Sequence, residues 1–127
     1  MSTIIILINS IFSTDHVKGT DHWLAQRVTS LAMLPLTCIF FIFFFMNFGL
    51  EYDQVRSYFT QPFVNTLTIV FLLVTSLHVK QGLEVVIEDY ISEKGKRNKI
   101  KVINTTVCIL MALSSTVSLL SLYFVGN

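Results

Sequence analysis

The chain has 127 residues and a net charge of +1, with 53% hydrophobic and only 13% charged residues. A soluble domain carries about 25% charged residues, so a bilayer must cover most of this surface. The small net charge leaves no electrostatic basis for nucleic-acid binding. The two cysteines, Cys38 and Cys108, fit no metal or redox spacing and are read as small apolar side chains.

The chain opens with an apolar run, Thr3 to Phe12, that is too short to cross a membrane. It lacks the basic start of a signal peptide and the Arg-rich character of a transit peptide, which favours a bacterial or organelle-encoded chain. Residues 1–22 are therefore expected to lie at the inner face, along the membrane surface or against a partner. Three charge-free stretches follow: Val28 to Leu50, Ser57 to Val79 and Val102 to Asn127. Each reaches the roughly 20 residues that cross about 30 Å of hydrocarbon. Helices are required because the bilayer core offers no water to satisfy backbone groups. The expectation is an all-α membrane protein with one domain over 23–127 and spanning helices at about 24–50, 57–91 and 101–125.

Within this frame, Trp23 should sit at headgroup level, and Arg27 stands where the first span begins. Pro35 removes one hydrogen bond from that span. The run CIFFIFFFMNF is read as lipid-facing or packing bulk. The first connection, Glu51 to Arg56, is short, with Tyr52 and Tyr58 as an aromatic belt, and Pro62 fits the first turn of helix two. The second connection, SEKGKRNKIK, is basic, and Gly95 is its expected break. The Ser and Thr residues of the third span suit close helix packing. Lys94, Lys96, Arg97, Lys99 and Lys101 in the second connection, with Lys18 and Arg27, outweigh Arg56 in the first. The positive-inside rule then puts the N-terminus inside and the C-terminus outside, so Tyr90 should emerge at the inner face.

The stretch His78 to Tyr90, HVKQGLEVVIEDY, carries the chemistry. An ionisable group inside a span is costly to keep and marks a functional candidate. On a helix, Phe71, Thr75, Gly82, Val85 and Asp89 share or nearly share the face of His78. Asp89 is only about 20° away in angle and ~16 Å along the axis. A neutral imidazole can be an axial haem ligand, and Gly82 one turn later would let a flat macrocycle approach. The other reading of His78 is a histidine bonded to a neighbouring helix. If it is a ligand, a bis-histidine haem needs a second histidine from another polypeptide, because His16 and His22 precede the first span. Arg27 is either an interfacial anchor or the partner of an anionic group such as a haem propionate. Tyr90 could donate a hydrogen bond to a quinone carbonyl, with Asp89 orienting it or relaying protons. Otherwise the pair is a belt tyrosine and a solvated acid. Glu84 and Glu88 are read as solvated or partner-facing and Lys80 as a snorkelling anchor.

Two blocks, HWLAQRVTSLAMLPL and HVKQGLEVVIEDY, resemble the smaller membrane-anchor subunit of succinate dehydrogenase (respiratory complex II) of the alphaproteobacterial and mitochondrial type. The resemblance covers nearly all the chain after about residue 20. It implies that His78 is an axial ligand to haem b, that Arg27 lies near the haem propionates, and that Tyr90 and Asp89 belong to a ubiquinone site. It also implies a sister membrane-anchor subunit, together with iron–sulfur and flavoprotein subunits, in a bacterial cytoplasmic or mitochondrial inner membrane. The chain has no flavin motif and no cysteine framework for clusters, so it has no catalytic residue for succinate oxidation of its own. Two alternatives stay open: the anchor of a fumarate reductase, which would use the same parts, and a small pore-forming protein of the holin type.

Overall fold

Pro62 opens the helix on which the rest is assembled. A proline lacks the N–H that the first helical turn leaves unbonded anyway, and Gln61 before it is extended, at φ −63° and ψ 130°. The computed structural model describes residues 19–126, with side chains described from Trp23 to Val125. The apolar run Thr3 to Phe12 and His16 lie outside the described residues, as does the side chain of His22. Among the described residues four helices follow in order: α1 (Gly19–Asn47), α2 (Tyr52–Phe59), α3 (Pro62–Tyr90) and α4 (Lys94–Gly126). Segments Trp23–Asn47, Pro62–Tyr90 and Lys94–Val125 are long and apolar enough to cross a membrane.

The helix boundaries differ from the expected ones at each connection. Helix one ends at Asn47, not near 50, because Gly49 at φ +84° turns the chain. That left-handed conformation is open to glycine at little cost. The first connection is not a plain loop. Its polar residues form α2, whose first turn is closed by the Glu51 N–H donating to Gln54 Oε1 at 3.2 Å. Helix two therefore begins at 62 rather than 57. Helix three begins at Lys94 rather than 101, and the break falls at residues 91–93 instead of at Gly95. The basic connection is thus the first two turns of α4. Cations there oppose the helix dipole, so their placement serves the membrane boundary rather than the helix.

Helix α3 is central. Helices α1 and α4 each pack against it and have little contact with each other. The interior is more polar than the exterior. Thr29, Asn65, Thr68, Lys80, Gln81, Glu84 and Asn104 are buried, whereas Phe41, Ile42, Phe45, Leu110, Leu113 and Phe124 face outward. Such inversion is expected where lipid is as apolar as leucine and polar groups find partners only within the protein. The aromatic run behaves as its composition suggests: Phe44, Phe45 and Phe48 are exposed, while Phe43 is buried and Phe40 stacks on Phe71 at 4.6 Å.

Two asparagines tie α4 to α3 near opposite ends. Asn65 Nδ2 donates to Leu119 O at 2.9 Å and to Phe59 O at 3.0 Å. Asn104 Nδ2 donates to Lys80 O at 3.1 Å. The hydroxyls of Thr106, Ser114, Ser115 and Thr116 instead bond carbonyls of their own helix. Asparagine, with a longer reach and two donors, makes the interhelical bonds. Replacing Asn65 or Asn104 with Ala is expected to lower stability by about 1 kcal/mol each, the scale of an interhelical hydrogen bond in a membrane. Thermal denaturation of the detergent-purified protein checks this, with Ser114→Ala as the control that should change little.

Candidate functional site

The side of α3 that bears His78 packs on α1. Phe71 meets Phe40 in the half of this seam nearer α2. One residue of α1, Thr29, organises the other half. Its hydroxyl lies 3.0 Å from His78 Nδ1 and 2.9 Å from Gln81 Oε1. It also lies 3.2 Å from Ala25 O and 3.0 Å from Gln26 O of its own helix. Thr29 is 5% exposed and Gln81 1% exposed, so this cluster is closed to solvent and lipid. His78 itself is half-buried. The ring is bonded to a neighbouring helix through Nδ1 alone. Among the described residues, Nε2 meets no hydrogen-bond partner.

Gly82 follows on the same side. A Cβ built there would meet nothing nearer than Gln26 Nε2 at 4.0 Å. The glycine is therefore not required by close contact between α1 and α3, and the surface beside His78 is left low.

A second polar cluster lies on the other side of α3, against α4. Lys80 Nζ and Glu84 Oε1 are 2.9 Å apart, with side chains 4% and 12% exposed. Lys80 is thus not a snorkelling anchor, and Glu84 is neither solvated nor partner-facing. One turn on, Glu88 pairs with Lys101 across the α3–α4 seam. The spacing of 80, 84 and 88 places the three residues along one face, about 160°, 120° and 80° from His78 respectively, on the side away from Asp89. Buried Cys108 adds its thiol to Asn104 Oδ1 at 3.7 Å.

The other sequence candidates lie outside these clusters. Arg27 is exposed, with its guanidinium 5.0 Å from the Trp23 ring centroid. That cation–π contact holds the charge against the exposed tryptophan. Asp89 is exposed and Tyr90 is 86% exposed at the last residue of α3. They stand where a partner or a membrane-borne ligand can reach them. The structure therefore joins His78 to Thr29 and Gln81, neither of which stands out in the sequence, and leaves Arg27, Asp89 and Tyr90 on the surface. Among the described residues no group of three or more His, Cys, Asp or Glu could hold a metal ion. The donor set suits one axial position, a single imidazole with its second nitrogen engaged, so these residues fit a haem whose other ligand is supplied elsewhere.

A sequence model of the family described as succinate dehydrogenase/fumarate reductase transmembrane subunit matches residues 10–119. The chain belongs to that family. Relatives in three bacteria bear the name succinate dehydrogenase hydrophobic membrane anchor subunit. The protein of Rickettsia prowazekii is 33% identical over 113 residues, which is 87% of this chain and 86% of the relative. That of Rickettsia typhi is 30% identical over 89% of this chain and 90% of its own length. That of Paracoccus denitrificans is 34% identical over 58% of this chain and 57% of its own. No solved structure gives a significant match. Within this family of transmembrane subunits, the three apolar helices make the chain an integral membrane protein.

The buried pair gives a test of how α3 carries its charges. Lys80→Met or Glu84→Leu alone should cost about 3 kcal/mol or more, because each breaks an ion pair buried away from water. The double substitution should recover part of that loss. Accumulation in membranes and denaturation midpoints of the three variants check the sign of the coupling.

Proposed function

We propose that this chain is the small membrane-anchor subunit of a succinate:quinone oxidoreductase. On this reading it holds the flavoprotein and iron–sulfur subunits to the inner face of the membrane. It also supplies one axial histidine to haem b and part of the ubiquinone site. The observation that carries the reading is the family match across residues 10–119, joined by relatives named as membrane anchors of succinate dehydrogenase.

The residues divide the work. His78 would hold a bound haem through Nε2, since Nδ1 is committed to Thr29. A second ligand would come from the sister membrane-anchor subunit. The haem, when bound, supplies one-electron redox chemistry. Arg27, exposed at the start of the first span, is placed to neutralise a propionate by leaving the Trp23 ring. Tyr90 donates its phenolic proton in a hydrogen bond to a ubiquinone carbonyl, and Asp89 beside it orients the phenol or passes protons as the quinone is reduced. The basic first turns of α4 favour an orientation with the N-terminus and the α3–α4 connection inside and the C-terminus outside. That places Tyr90 at the inner rim of a bacterial cytoplasmic or mitochondrial inner membrane, within reach of electrons from the soluble subunits. The family description also names fumarate reductase, and the same parts would serve an anchor working in that direction. A colourless pore would give no use to a His78 held through Nδ1.

Two substitutions in the assembled complex test the reading. His78→Ala should weaken or alter the haem b absorption spectrum and its redox titration, and an unchanged spectrum would count against ligation. Tyr90→Phe should spare succinate oxidation by an artificial dye yet slow quinone reduction about tenfold, the effect of losing a hydrogen bond worth ~1.4 kcal/mol. Equal loss of both activities would assign Tyr90 a structural role instead.

A further inference from the structure

We propose that Thr29 is the positioning residue for His78, selecting by hydrogen bonding the imidazole tautomer that presents an unprotonated Nε2. The inference rests on the haem reading above and adds to it how this chain prepares its ligand. It follows from counting protons. Thr29 Oγ1 has four polar neighbours: Ala25 O, Gln26 O, Gln81 Oε1 and His78 Nδ1. The three oxygens can only accept, and the hydroxyl has one proton to give. A carbonyl oxygen has two lone pairs, so all three can take the proton, and Gln81 Oε1 is the nearest at 2.9 Å. A proton spent on His78 would leave the hydroxyl oxygen facing three acceptors with no hydrogen between them.

Once that proton is committed, the hydroxyl oxygen can satisfy His78 only as an acceptor, so Nδ1 carries the hydrogen. Were Nδ1 unprotonated, two lone pairs would face each other at 3.0 Å unless the hydroxyl turned away from Gln81. With Thr29 5% and Gln81 1% exposed, water is not at hand to relieve either mismatch. Nδ1–H is thus fixed, and Nε2 is left with its lone pair, the form an axial ligand needs. The same bond sets the ring plane and strengthens the ring as an electron donor. Threonine suits the task because its branched Cβ leaves few rotamers on a helix.

The test uses the whole complex, purified with haem, carrying Thr29→Val, Thr29→Ser or His78→Ala. Valine keeps the shape and removes the hydroxyl, while serine keeps the hydroxyl. The readouts are haem per complex, the haem midpoint potential and the low-spin ferric electron paramagnetic resonance signal. The expected result for Thr29→Val is retained haem, an upward shift of potential from weaker imidazole donation, and a shifted or broadened ferric signal. Thr29→Ser should return both properties to those of the unaltered complex. A Thr29→Val complex with unaltered potential and signal overturns the inference, and so does equal change in Val and Ser. If Thr29→Val is silent while His78→Ala alters the spectrum, only the role of Thr29 falls. If His78→Ala is silent too, the haem-ligand reading falls with it.

Discussion

Polar side chains buried in a span must find their partners within the protein, and α3 carries such residues on more than one face. Thr68, Lys80, Gln81 and Glu84 are all buried, and His78 is half-buried. In hydrocarbon, an unpaired lysine at the centre of a span costs about 2.5–3.5 kcal/mol, several times the ~0.6 kcal/mol of an average interhelical hydrogen bond. Neighbouring helices are therefore held on both sides of α3. Helix α1 covers the histidine side through Thr29, and α4 covers the Lys80–Glu84 side through Asn104 and Lys101. The order α1, α3, α4 follows from that requirement, with short α2 closing the far end through Phe43 against Tyr58 at 5.8 Å.

This division gives the two seams different characters. The α3–α4 seam is held by two asparagine bonds to main-chain carbonyls and a rim salt bridge, beside an ion pair buried within α3. The α1–α3 seam has stacked rings in the half nearer α2 and, in the other half, a hydroxyl cluster beside a glycine with open surface. A rigid seam beside a less crowded one is a suitable base for a site shared with another polypeptide. The locked side sets the position of α3, and the other side leaves its imidazole within reach. Tyr90 and Asp89, at the end of the same helix, inherit that fixed position while remaining exposed.

Much of the fold is legible in the sequence. The charge-free stretches mark three spans, Pro62 marks a helix start, and composition alone turns most of the phenylalanines outward. The departures have identifiable causes. Residues 51–56 read as a loop because the segment is polar and short, yet they cap and form most of a helix. Lys80 and Glu84 read as surface groups because isolated charges usually snorkel. Their i,i+4 spacing is the available sign that they can instead neutralise each other on one face. Periodicity predicts the face of His78, but it gives an angle on one helix and not the neighbour that fills it. Thr29 and Gln81, ordinary polar residues when read singly, become informative only when α1 and α3 are docked.

The central claim is that a histidine prepared in this way serves a shared haem in a redox complex. The most direct measurement is a reduced-minus-oxidised absorption spectrum, with polypeptide composition, on material purified in mild detergent through a tag on this chain. The account predicts a b-type haem at one per complex, together with a second small membrane subunit and two larger soluble subunits. A colourless preparation of this chain alone, folded and intact, would contradict it.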